Sequence, residues 1–184
     1  KIKEHNELYL DIGFSLLAIV MVDLSYLPVS MLGLEGGMSA LSMLGINDAK
    51  VDQKGDTYTI SYKNGEDERL VQICEYDASS DSVRSTISME GSSSSDLVME
   101  YVSSGDGYAC QYFSRMDNGE YDLITMFFSA NGDVAIGMST VSKEPGSIYK
   151  NTGLKADFVL NDESYFLLEG GKLTVFSDGE KKTY

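Results

Sequence analysis

From Asp56 onward the hydrophobic residues of this chain recur at every second position, and that period limits the fold more than any other feature of the sequence. Successive side chains of a β-strand point to opposite faces, so a period of two describes strands with one dry and one wet face. Tyr58, Ile60 and Tyr62 alternate with Thr57, Thr59 and Ser61, and Val83, Ile87 and Met89 alternate with Arg84, Thr86, Ser88 and Glu90. Between such runs stand Asn64-Gly65, Asn118-Gly119, Asn131-Gly132, Gly170-Gly171 and Asp178-Gly179. These pairs accept the positive φ angles of tight hairpin turns. Short runs joined by tight turns make antiparallel neighbours, so residues 51–184 are expected to form a β-meander. Besides those two runs, strands are expected at 69–76, 96–103, 108–115, 121–129, 134–141, 154–160, 165–168 and 173–176, about ten in all. Residues 123–128 are apolar on both faces apart from Thr125, which marks a central or covered strand.

Residues 1–50 carry a different pattern. Leu8, Ile12, Leu16, Ile19 and Tyr26 keep helical spacing behind a capping Asn6, and Leu27 before Pro28 is disfavoured in a helix. Met31, Leu34, Met38 and Leu41 repeat the spacing in a segment weakened by Gly33, Gly36 and Gly37. The fold class expected is therefore α+β, one domain over 1–184. In it, N-terminal apolar helical segments pack on a strongly twisted antiparallel meander of about ten strands, free to curl into a partial barrel. Residues 12–22 form the most apolar stretch, but a membrane-spanning helix needs about 20 residues, so no direct membrane insertion is expected. Nor does it read as a secretory leader, since Lys1 and Lys3 are outweighed by Glu4, Glu7 and Asp11.

Charge narrows the partners. Lys and Arg number 14 against 29 Asp and Glu, a net charge of −15 that repels phosphate, so nucleic acid is excluded as a partner.

Residues able to carry chemistry are few. The one histidine, His5, precedes the first helical run and reads as a solvated terminal residue. Cys74 and Cys110 fall inside strands that a plain meander separates by two others, too far for a disulfide, so both are expected to be free and buried. Gly-x-Ser-x-Gly elbows and phosphate-binding glycine loops are missing. The acidic loops at Asp117, Asn118, Glu120 and Asp122 and at Asn161, Asp162 and Glu163 lack the spacing of a calcium loop and read as turns, so neither metal nor cofactor is expected. Paired carboxylates leave a hydrolase as a third reading.

Nine methionines are the compositional oddity. Flexible thioethers adapt to irregular apolar ligands, which makes Met21, Met31, Met38, Met43 and Met126 the candidate ligand contacts. The expected function is a non-catalytic extracytoplasmic binding protein holding an apolar small molecule between helices and sheet. The alternative is a cell-surface module whose partner is another protein.

Overall fold

The computed structural model describes residues 43, 46–64 and 68–184. Among these described residues eleven strands form a single antiparallel sheet in strict chain order, each paired with its sequence neighbour. They are β1 (Ile46–Lys54), β2 (Thr57–Asn64), β3 (Glu68–Asp77), β4 (Ser82–Met89), β5 (Leu97–Ser104) and β6 (Gly107–Arg115), then β7 (Tyr121–Ser129), β8 (Val134–Val141), β9 (Ser164–Glu169), β10 (Lys172–Ser177) and β11 (Glu180–Thr183).

The α+β expectation is corrected by this architecture. Among the described residues the sheet is open, with β1 and β11 at its two ends rather than paired as the closing strands of a barrel. Helix is nearly absent among the described residues, where the longest helical stretch is the 3-10 helix Ala156–Asn161. Sheet already begins at Ile46, inside the span read as helical, whereas the helical runs expected before residue 42 lie outside the described residues. The strand expected at 154–160 is replaced by that 3-10 helix, and β1 and β11 were not foreseen. Both are polar and exposed, so neither has the alternation that betrays a strand.

Turn chemistry explains why the remaining strands fall where the sequence puts them. Gly119, Gly132, Gly170, Gly171, Asp178 and Gly179 all have positive φ, as the hairpin pairs require. Gly65 lies outside the described residues.

Residues directly opposite one another in an antiparallel pair share a face, so the registers sort the side chains into two sets. On the back face lie Ile60, Cys74, Met99, Cys110, Met126, Ile136 and Phe166, all buried. The front face is polar over β1 and β2, with Lys50, Asp52, Thr59 and Ser61, and becomes apolar over the later strands. There Val102, Ala109, Phe127, Ala135 and Tyr165 pack with Ile148 and Val159. Ile148 and Val159 come from residues 142–163, the long connection between β8 and β9, which lies across this face. Sheet and connection together bury the front core, which is what a single sheet layer needs on an apolar face.

Candidate functional site

Two features of the sheet could carry function: a polar row beneath the 142–163 connection, and the depressions on either face. The polar row runs straight across the central strands. Glu100 on β5 faces Gln111 on β6, Gln111 faces Thr125 on β7, and Thr125 faces Gly137 on β8.

Glu100 is 1% exposed and both of its oxygens are fully engaged. Ser147 donates to Oε1 at 2.6 Å, and the Arg84 guanidinium stands 3.3 Å from the same atom. Gln111 and the backbone N–H of Ile148 donate to Oε2 at 2.9 and 2.7 Å. Gln111 also donates to the carbonyl of Gly146 at 2.8 Å. A buried carboxylate is tolerated when charge and donors surround it, and here two of the four groups, Ser147 and the Ile148 N–H, arrive with the connection.

The connection then reaches β3, where the Lys150 ammonium sits 2.7 Å from Asp77. That ammonium and the Ser79 hydroxyl hold the Asp77 carboxyl well below the usual carboxylate range. Returning, the chain accepts a hydrogen bond from Ser104 at the Leu154 carbonyl and passes through the 3-10 helix. It ends at Asp162, which accepts from Thr125 and, at 2.8 Å, from Ser139. Burial pushes the Asp162 carboxyl up, and the two hydroxyls only partly offset this. The two buried carboxylates thus fasten the connection to the sheet.

The front depression, of about 460 Å³, opens at the end of the sheet near the β7–β8 hairpin. Phe127, Ala135, Ala156 and Leu167 form its floor, with Asp106, Asp133, Glu169 and Lys155 on the rim. Asp133 is already committed to two neighbouring turns, accepting from Asn131 of its own hairpin at 2.8 Å and from the Gly170 N–H of the β9–β10 turn at 2.9 Å.

The back depression, of about 490 Å³, spans β6 to β9 on the apolar face. Its floor is Tyr112, Ile124 and Met138, which stand opposite one another on adjacent strands. Ser114, Asp122, Thr140, Glu163 and Ser164 surround them. Beside the floor, on the same face, lies the cluster of Cys110, Met126 and Ile136, against which Tyr112 and Ile124 pack. Burial, and then the nearby Asp122 charge, pushes the Tyr112 hydroxyl up, so it stays protonated and able to donate.

Of the candidate ligand contacts, Met126 is 1% exposed beside this floor, whereas Met43 is 89% exposed. The two do not share a wall. Met21, Met31 and Met38 lie outside the described residues. Tyr112, Ile124 and Met138 were missed because only the register brings 112, 124 and 138 into one row.

Both cysteines are buried thiols outside any disulfide, on β3 and β6 with two strands between them. The acidic turn at 117–122 is held by its own bonds, the Glu120 N–H donating to Asn118 at 3.0 Å. Among the described residues no three His, Cys, Asp or Glu side chains converge as a metal site would require, and no helix is long and apolar enough to cross a membrane. No protein-family model matches the chain, and no curated protein or solved structure is significantly similar to it.

Proposed function

We propose that the protein is a non-catalytic binding protein that holds an apolar or amphipathic small molecule in the back depression. The observation that carries this reading is the in-register floor of Tyr112, Ile124 and Met138, continuous with the buried Met126 cluster. A volume of about 490 Å³ falls within the range of small-molecule sites, and an apolar floor with a polar rim suits a ligand with one greasy and one polar end. Asp122 and Glu163 on the rim disfavour a carboxylate there, so the polar end is neutral or cationic. The extracytoplasmic setting is an inference from a composition rich in Ser, Gly, Asp and Tyr.

The test is thermal melting with ligands of equal chain length: an alkylamine, a monoacylglycerol and a fatty acid. A ligand at about 100 times its dissociation constant stabilises a fold by ~2.7 kcal/mol. That is a rise of several degrees at roughly 2–4 °C per kcal/mol for a domain of this size. The amine and the neutral lipid should raise Tm more than the acid, and Met138→Glu should abolish the effect. If no lipid moves Tm in the wild type, the small-molecule reading falls. The protein-interaction reading then stands, resting on Tyr76, Tyr108 and Leu168, which are 42, 44 and 41% exposed on the same face.

A further inference from the structure

The front depression near the β7–β8 hairpin owes its floor to short side chains. Phe127 faces Ala135 and Ala135 faces Leu167, so a small residue stands between two large ones in the same row. The connection then lays a second small residue, Ala156, against the same cluster. Two alanines, one from each layer, leave open a space of about 460 Å³ that longer side chains would fill.

The rim of this space carries charges of both signs that do not meet. Asp106 stands in the β5–β6 turn and Lys155 just before the 3-10 helix, and both line the depression. Among the described residues neither side chain forms an ion pair or a hydrogen bond. They are nevertheless held near one another, because the Ser104 hydroxyl donates to the Leu154 carbonyl and so pins the backbone just before Asp106 to the backbone just before Lys155. The other rim carboxylates are already answered. Asp133 accepts from Asn131 and from the Gly170 N–H, and Glu169 has Lys172 opposite it on β10.

An apolar floor between an unpaired carboxylate and an unpaired ammonium is the complement of a zwitterion with an apolar middle. Such a ligand would cover the floor and meet an opposite charge at each end. Length selects among zwitterions. A space of this volume is about 8 Å across if equal in all directions, and two extended residues of peptide span about 7 Å. A single amino acid carries both charges on one carbon, too close together to serve both sides of the rim.

We propose that the front depression binds an apolar dipeptide with free ends, its ammonium at Asp106 and its carboxylate at Lys155. The site lies on the opposite face from the floor of Tyr112, Ile124 and Met138 and does not depend on the ligand reading made for that floor. Titration calorimetry of the full chain with leucyl-leucine, its N-acetyl form and its C-terminal amide tests it. The free dipeptide should bind, and blocking either end should weaken binding roughly 3- to 10-fold. Asp106→Asn should erase the penalty for acetylation while leaving that for amidation, and Lys155→Gln should do the reverse. Ala135→Leu should abolish binding by filling the floor. If the sheet does not tolerate that change, Ala156→Leu fills the same space from the connection and should have the same effect. No binding at millimolar free dipeptide, equal affinity for the blocked forms, or end-block penalties unchanged in both charge variants would each overturn the proposal.

Discussion

Gly137 lies directly beneath the carboxylate of Asp162, so close that a methyl group on Gly137 would occupy the space the carboxylate fills. The missing side chain on β8 lets the end of the 142–163 connection sit against the sheet and receive the Thr125 and Ser139 hydroxyls.

Gly137→Ala should therefore destabilise the fold by about 1–3 kcal/mol, the usual cost of overpacking. Urea denaturation of the single variants and of the double variant with Asp162→Ala would check the cause. In the Asp162→Ala background the glycine substitution should cost clearly less, since the colliding group is gone. Equal costs in both backgrounds would mean that the two positions are independent.

Glu100→Gln should cost about 2–4 kcal/mol, because it leaves Arg84 without its buried counter-charge and, with the amide oxygen kept toward Gln111 and Ile148, turns a donor toward Arg84. Amide exchange at Ile148, whose N–H donates to Glu100, should accelerate beyond what the loss of global stability accounts for.

The carboxyls at the two ends of the connection act oppositely with pH. Asp162 is raised in the fold, so its contribution is present when it is protonated and is lost as pH rises through its folded value. Asp77 is lowered, so its contribution is present above the ordinary carboxylate range and is lost as pH falls through its folded value. Asp162→Asn should leave stability at neutral pH unchanged or improved and flatten the decline above the carboxylate range. Asp77→Asn should lower stability at neutral pH and have little effect in strong acid. Denaturation midpoints from pH 3 to pH 8 would separate the two.

Both thiols should resist an aromatic disulfide reagent in the native protein and react in denaturant, as expected of buried groups on separate strands. Burial raises the Cys74 thiol further, which lowers its thiolate fraction at neutral pH. Rapid native labelling at Cys74 would show that the back face opens there.

Nine strands were legible because alternation and turn pairs are local signals. Tyr58, Ile60 and Tyr62 announce β2 from within five residues. The connection was not legible for the opposite reason. Leu154, Ala156 and Phe158 alternate as a strand would, yet they lie flat on the front core. What holds them there includes contacts such as Ser147 with Glu100, 47 residues apart in sequence. Glu100, Gln111 and Thr125 likewise look like ordinary wet-face residues until the partner that buries them is known. The floor of the candidate site was hidden by register, since Tyr112, Ile124 and Met138 are unremarkable in their own strands.

A meander whose strands pair only with their sequence neighbours behaves like a one-dimensional array, in which each hairpin depends on the next and fraying can start at either end. The 142–163 connection breaks that independence by tying the end of β3 to β5, β6, β7 and β8 through Lys150, Ser147, Gly146 and Asp162. Those strands become one cooperative block that opens together. β10 and β11 lie beyond its anchors and are left free to exchange their amides one hairpin at a time.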